Sequence, residues 1–448
     1  MSRTLPLSQW LSTDRPDDTL VAWQGARQWT LKNLRGDVAR LQAQLQAHPG
    51  MRWALCAENS YLFLVALLAL LHSGKTPVIP GHQRPAWLEE QRDRLDGVIS
   101  ETPVAFSKTV ITVECGENPA HPLPPVDPDA TIELYTSGST GEPQRVVKPV
   151  ALLDAEAALV AGRFAARLDG CRVVSSVTPQ HLYGLTFRLF MPMALGLPLH
   201  AAMLQFPEQL AALDGAHTYA FISSPAFLKR LDPALTPPPL AFLLSAGGAF
   251  AWPDVKRTAA WCNVWADEIY GSTETGVIAW RQRTDNSTAW QLFPDVILRA
   301  EGDGWRVLSP LIADSEGLPL DDRLEFVSDG FRIAGRRDRV VKIEEKRVSL
   351  SDVEQRLRAL EGVRDAAVVP LLHRNRQTTG AVLVLDEAAL AQWRQHPGET
   401  ERQWRQALRR WLEPVAIPRC WRVVDAIPVN SLNKRVYDKL QELFNDAP

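Results

Sequence analysis

"YTSGSTGEPQ", residues 135 to 144, packs two glycines and four serine or threonine hydroxyls into ten positions. Backbone N–H groups of such a turn can converge on phosphate oxygens, because glycine accepts the dihedrals and lets the chain approach closely. Alone, the stretch is equally the composition of an ordinary surface turn. A Walker-type loop is excluded, since no Gly-Lys pair follows Gly138 or Gly141, and Gln144 stands where a lysine is looked for. Arg145 and Lys148 are the nearest cations downstream, and Arg145 is the favoured replacement.

Working outward, short apolar runs follow the loop: "CRVVSSVTP", "YAFISSP", "LAFLLSAGG" and "NVWADEIYGS", each ending in Gly, Ser, Thr or Pro. A strand that runs into a small-residue loop and then a helix is the unit of an α/β sheet. Ligands of such sheets sit beyond the carboxyl ends of the strands. Upstream, "TLKNLRGDVARLQAQLQ" spaces its apolar residues as a helix does, "RWALCA" reads as a strand, and "SYLFLVALLALLHSG" as a second helix. The run from Leu62 to Leu71 is about half of what spans a bilayer, so it predicts a buried helix and no membrane insertion.

From Arg323 the pattern changes. "RLEFVSDGFRIAGRRDRVVKI" alternates like a hairpin turning at Asp329-Gly330. A charged helix ("SLSDVEQRLRAL"), two strands ("DAAVVPLL" and "GAVLVL") and an Arg/Gln/Trp-rich helix near 399–412 follow. These patterns predict an α/β fold: a large multi-layer N-terminal domain over 1–337, with β-sheets flanked by helices, and a small α+β C-terminal domain over 338–448.

The totals agree. A chain of 448 residues exceeds one ordinary domain. With 46% hydrophobic and 23% charged residues it has the composition of a soluble globular protein. A net charge of −3 gives no reason to expect nucleic acid or an anionic membrane surface as partner. The five cysteines (Cys56, Cys115, Cys171, Cys262 and Cys420) are odd in number and never spaced C-x-x-C, against a disulfide framework or a cysteine-built metal site. Together with an N-terminus lacking a signal-peptide core, they point to the cytoplasm.

The order "YTSGSTGEP", "PQHLYG", "YGSTETG", "DGFRIAGRRDRVVK", "PVNSLNKR" resembles the adenylate-forming superfamily of AMP-producing acyl- and aryl-acid ligases, across nearly the whole chain. The chain is short for that family and is similar to compact bacterial ligases of aryl-polyene or xanthomonadin-type pathways. The resemblance implies two half-reactions. A carboxylate attacks the α-phosphate of ATP to give an acyl-adenylate and pyrophosphate. A thiol, the pantetheine of coenzyme A or of an acyl carrier protein, then takes the acyl group. The C-terminal domain is implied to be mobile, rotating between the two steps.

The same resemblance assigns residues. Thr136, Ser137, Gly138, Ser139, Thr140 and Gly141 are expected around the β- and γ-phosphates. Glu274 is the expected Mg²⁺ ligand, a hard oxygen donor suited to that ion. Thr273 is expected at the α-phosphate, and Tyr270 and Gly271 at adenine. Ala246, Gly247 and Gly248 would pack against adenine and the acyl group. Asp322 is expected to accept from the ribose hydroxyls, with Asp321 its competitor, and Arg336 to reach ribose and phosphate. Asp338 matches the hinge, Lys342 the lysine that sets the second conformation, and Lys434 the lysine that stabilises charge during adenylation. His181, Tyr183, Gly184, Ser224 and Gly247 are the expected acid pocket, with Ser223 and Trp265 as further candidates. Short segments and bulky rings there suggest an aromatic or medium-chain acid.

Three departures matter: Gln144 for the loop lysine, Glu345 for a glycine beside the pantetheine tunnel, and Asn433 for the glycine before the catalytic lysine. They are the best support for the alternative, a non-catalytic relative that binds nucleotide or acyl group as sensor or scaffold. Glu274, Asp322, Arg336 and Lys434, all retained, favour the enzyme.

Overall fold

The computed structural model describes residues 4–81, 83, 85–116, 121–137, 143–302, 304–336, 339–343, 346–373, 376–412, 414–430 and 435–445. The chain separates into two compact units, Met1–Leu298 with Val307–Leu318, and Arg299–Arg306 with Pro319–Pro448.

The first unit is built on two sheets. One has six strands in the spatial order Thr109–Thr112, Gly97–Ser100, Arg52–Cys56, Thr76–Ile79, Thr131–Ser137 and Pro143–Pro149. All neighbours are parallel except the last pair. The other has nine strands. Its parallel centre runs Asp267–Ser272, Leu240–Ser245, Tyr219–Ser223, Arg172–Ser175, Leu199–His200 and Leu20–Gln24. Antiparallel strands flank that centre at both edges.

Helix Ser60–His72 lies at the heart of this unit, and the uniformly apolar run reads out as expected. Every residue of it but Leu62 is buried, because a helix apolar all round has no face to give to water. Each buried leucine contributes roughly 2 kcal/mol. Asn59 caps the N-terminus of the helix by accepting from the amides of Tyr61 and Leu62 at 3.0 and 3.1 Å. The same core takes in Ile132 and Leu134 from one sheet and Leu182, Leu185, Leu189 and Phe190 from the segment between strands Arg172–Ser175 and Leu199–His200 of the other. Among the described residues no helix is long and apolar enough to cross a membrane.

In the second unit, strands Val363–His373, Arg376–Leu385 and Cys420–Val423 form a sheet packed on helices Leu350–Arg358 and Pro397–Leu408. The expected hairpin is present as Asp322–Val327 and Gly330–Arg336. Val327 pairs with Gly330, so the turn is Ser328-Asp329, one residue earlier than the dipeptide suggests. This hairpin packs on helix Leu350–Arg358, where a Cβ at Gly335 would stand 2.9 Å from that of Ser351. It therefore groups with the second unit, whereas a division at 337/338 assigns it to the first.

Candidate functional site

Two sequence motifs each bridge a pair of antiparallel strands. The loop that opened the sequence reading joins strands Thr131–Ser137 and Pro143–Pro149, with Thr136 opposite Gln144 and Ser137 opposite Pro143. Gly138, Ser139, Thr140 and Gly141 lie outside the described residues. "YGSTETG" starts in the strand Asp267–Ser272 and turns into the antiparallel strand Gly276–Gln282, where "GVIAWRQ" continues as a sheet neighbour. Thr273 and Glu274 occupy the tip, both partly exposed.

The tip is held in detail. Ser272 and Thr275 exchange bonds: the amide of Ser272 donates to the Thr275 hydroxyl at 3.1 Å, and that of Thr275 to the Ser272 hydroxyl at 3.2 Å. Gly271 is required by contact, since a Cβ there would stand 2.2 Å from the carbonyl oxygen of Gly276. Lys148 donates from Nζ to the Glu274 carbonyl at 2.9 Å. Glu156, on helix Val150–Leu168, accepts from the Val277 amide and the Thr186 hydroxyl, both at 2.8 Å. Lys148 and Glu156 are both buried. Burial pushes the Lys148 ammonium below its usual range, opposed by Glu156 and Glu274. It pushes the Glu156 carboxyl upward, opposed by Lys148, Thr186 and Val277.

Arg145, the favoured replacement for the loop lysine, is placed differently. Alternation along the strand sets Arg145 beside Tyr135 and Glu133 on one face, and Gln144, Val146 and Lys148 beside Ile132 and Leu134 on the other. Arg145 donates to Glu133 at 2.8 Å, and Arg52 donates to the same carboxylate. Ile132 and Leu134 enter the core shared by the two sheets, whereas Tyr135 packs into a separate cluster with Ala54, Val78 and Leu88. Arg145 thus serves the outer face of its sheet, and Lys148 the inner one.

The carboxyl ends of the parallel strands assemble a row of small polar groups. Ser223 pairs in register with Ser245, and Ser245 with Glu268, two residues before Tyr270. Ala246, Gly247 and Gly248 leave the strand directly after Ser245, with Ala246 buried and both glycines exposed. Tyr270 stacks at a tilt on Trp290, 5.8 Å between centroids. Ser176 and Ser223 share a hydroxyl–hydroxyl bond of 2.8 Å. Ser224 begins the short helix Pro225–Leu228. Trp265 stacks on Trp252 in the neighbouring core.

The His181–Gly184 segment meets this row. Tyr183 donates its hydroxyl to the Ser223 carbonyl at 2.9 Å, and burial pushes the phenol well above its usual range. A Cβ at Gly184 would fall 1.8 Å from the Thr178 carbonyl oxygen, so only glycine fits. A Cβ at Gly81 would stand 3.0 Å from the Tyr135 carbonyl oxygen and 3.9 Å from Cε1 of His181. The expected pocket histidine is therefore neighbour to the strand that enters the loop.

In the second unit Asp322 and Arg336 are register partners at the open end of their hairpin. Asp322 is half-buried and its competitor Asp321 exposed. Lys342 lies on strand Val340–Ile343, opposite Arg347. Asp338 and Lys434 lie outside the described residues. Glu156 escaped the sequence reading, although a glutamate among Leu153, Ala157 and Val160, at helical spacing, marks a charge on an apolar face.

Residues 81–299 match the family described as AMP-binding enzyme. Among curated proteins, a 4-coumarate–CoA ligase of Cereibacter sphaeroides is 30% identical over 248 residues, which are 54% of this chain and 57% of that one. The chain thus spans little more than half of that relative, and 4% of a nonribosomal peptide synthetase from Aspergillus fumigatus that it also matches. Among solved structures, ATP-bound MatB from Rhodopseudomonas palustris superposes with a TM-score of 0.81 at 19% identity, covering 98% of this chain and 99% of that one. A benzoate CoA ligase from Burkholderia xenovorans gives 0.77 at 20% identity, covering 98% and 100%. At these identities the likeness is one of fold.

Proposed function

We propose, for a chain that belongs to the adenylate-forming superfamily, that it is an ATP- and Mg²⁺-dependent ligase that activates a carboxylic acid and delivers it to a phosphopantetheine thiol. A carboxylate oxygen attacks the α-phosphorus of ATP, the bond to the bridging β-phosphate oxygen breaks, and pyrophosphate leaves. The thiol then loses its proton and attacks the acyl carbonyl, and AMP departs. The thiol belongs to coenzyme A or to an acyl carrier protein. The acid is aromatic or medium-chain, a reading supported on its aromatic side by a similar protein named for 4-coumarate. Cytoplasmic location is part of the proposal.

The observation that carries it is the Thr273–Glu274 tip, which follows the strand paired with the one that ends in the Ala246–Gly248 turn, inside the segment matched to AMP-binding enzymes. The tip also suits magnesium. Among the described residues no three His, Cys, Asp or Glu side chains gather as a metal cage. Mg²⁺ in nucleotide sites is held by one or two carboxylates together with substrate phosphates, which a single partly exposed Glu274 can supply. The ion would neutralise charge on the departing pyrophosphate.

Lys434 is proposed to stabilise the charge that builds as carboxylate and α-phosphate join. Asp338 is the proposed hinge at the functional boundary 337/338, and Lys342 serves the second conformation. Acid-dependent exchange of pyrophosphate into ATP, over hydroxybenzoates, cinnamates and C4 to C12 fatty acids, tests the reading. Lys434→Ala should lower exchange by roughly 10²-fold and spare thioester formation from supplied adenylate, whereas Asp338→Pro should do the reverse. Folded protein that binds ATP yet exchanges with no acid would turn the reading to a sensor or scaffold.

A further inference from the structure

We propose that Lys148 and Glu156 are positioning residues that brace the Thr273–Glu274 tip from behind, one through the Glu274 carbonyl and the other through the Val277 amide. The inference rests on the ligase reading, in which that tip meets the α-phosphate and the metal.

The starting point is the backbone of the tip. Register shifts between Tyr270 and Gly271, so the hairpin ladder is broken where it approaches the turn. A broken ladder and the turn beyond it leave main-chain groups that must find other partners or lose the free energy of a hydrogen bond. Here the Glu274 carbonyl is taken by the Lys148 ammonium at 2.9 Å and the Val277 amide by Glu156 at 2.8 Å. Gly276, at φ 71°, keeps this approach open, since a Cβ there would stand 3.0 Å from Oε1 of Glu156. Thr186 fixes the other oxygen of the same carboxylate at 2.8 Å, tying it to the segment that carries Tyr183 and Gly184.

Both braces come from the stretch that follows the glycine-rich loop: Lys148 from strand Pro143–Pro149, Glu156 from helix Val150–Leu168. A neutral side chain could satisfy either backbone group. The chain instead buries two ionisable side chains of opposite sign, 5% and 3% exposed, although charged groups are costly to take from water. What the lysine adds is a cation behind a tip expected to meet a polyphosphate, with Glu156 opposing the loss of its proton.

The same geometry separates bracing from simple replacement of the loop lysine. Lys148 is on the inner face with Gln144, but four residues further along the strand, about 13 Å at the usual rise. A lysine side chain does not cover that distance while also bonded to Glu274. Lys148 therefore acts through the tip, and is a positioning residue rather than a catalytic one.

The test compares the full chain with Lys148→Met/Glu156→Gln, which removes both charges together and avoids stranding either. Deuterium exchange of the ligand-free proteins is followed at the amides of 272–277, and Mg²⁺ is titrated in the pyrophosphate-exchange assay. The double variant should keep one cooperative thermal transition. Its amides over 272–277 should exchange about tenfold faster, and its half-saturating Mg²⁺ should rise several-fold while the acid KM stays near wild type. A folded variant with wild-type amide protection and Mg²⁺ dependence overturns the proposal. Should the double variant not fold, Lys148→Gln, which keeps a donor without the charge, is expected to show the same Mg²⁺ shift in smaller size, and wild-type values there overturn it equally. Wild-type protein that exchanges pyrophosphate with no acid sinks the ligase reading instead. The brace is then judged by amide exchange and by calorimetric binding of ATP at graded Mg²⁺, where an unchanged variant defeats it.

Discussion

Arg145 donates to Glu133 across 2.8 Å on the sheet face opposite to Lys148, and so is committed to an ion pair away from the Glu274 tip. Its side chain is 50% exposed, whereas that of Glu133 is 4% exposed and keeps Arg52 as a second partner. Arg145→Ala should therefore lower pyrophosphate exchange by less than about threefold and stability by no more than about 1 kcal/mol, the range of an exposed pair. A loss beyond 30-fold in kcat/KM for ATP, with the fold intact, would return the missing charge of the loop to Arg145.

The acid pocket offers a sharper contrast. Tyr183 is held by its bond to the Ser223 carbonyl, and Gly184 is pressed against the Thr178 carbonyl. Tyr183→Phe removes one hydrogen bond and keeps the ring, so it should cost about 1 kcal/mol. Gly184→Ala forces the segment to move and should cost roughly 1–3 kcal/mol. If these residues line the acid site, Gly184→Ala raises the KM for acid more than that for ATP. Equal effects on both substrates would remove His181–Gly184 from the pocket.

What could be read in advance follows from which physical signal each feature carries. The buried helix Ser60–His72 announced itself because an uninterrupted apolar run of that length has no other soluble solution. The strands ending at Ser175, Ser223 and Ser245 were legible because apolar runs stop at small polar residues. The tip at Thr273–Glu274 was legible as a motif but not as a hairpin, since the return strand Gly276–Gln282 carries no turn dipeptide before it. For Arg145 and Lys148, the sequence sets their opposite parity on one strand. Which parity faces the core depends on pairing with Ile132 and Leu134, a long-range fact absent from local pattern. Glu156 is the converse case: its burial is visible in the helical spacing, but its partners, 30 and 121 residues away, are not.

Asp154 sets a pH dependence of stability. It accepts from the Leu7 amide at 2.9 Å and so fastens the N-terminal segment to helix Val150–Leu168. Burial nevertheless pushes its carboxyl up to about 6, the Leu7 bond opposing. A carboxyl raised above its unfolded value of 3.8 binds its proton more tightly when folded. Its contribution is thus fully present below about pH 4 and is lost as pH rises through about 6. Asp154→Asn, which keeps an acceptor for Leu7, should raise stability at pH 7.5 by about 1–3 kcal/mol. The advantage should vanish near pH 4. Melting curves of both proteins across this range check the sign, and an advantage that grows on acidification would refute it.

Arg188 makes the strongest structural prediction. It is 1% exposed, and every hydrogen-bond partner found for it is neutral: the Ser60 hydroxyl at 2.6 Å and the carbonyls of Val177, Glu58 and Ala201 at 2.8, 3.0 and 3.1 Å. These acceptors come from the start of helix Ser60–His72 and from the chain after strands Arg172–Ser175 and Leu199–His200, so one guanidinium joins the central helix to the nine-stranded sheet. Methionine fills much of the same volume but takes the donor from the Glu58 carbonyl and the Ser60 hydroxyl, and leaves the Val177 and Ala201 carbonyls with only the Ser175 hydroxyl and the Ser60 amide. Burial of an unpartnered polar group costs about 1–3 kcal/mol before relaxation. Arg188→Met should therefore lower the unfolding free energy by roughly 3–5 kcal/mol. Arg188→Lys should recover less than half, because one ammonium cannot reach acceptors arranged for a planar fork. Urea midpoints at constant slope measure both. A methionine variant within about 1 kcal/mol of wild type would mean that water, and not the guanidinium, can satisfy this junction.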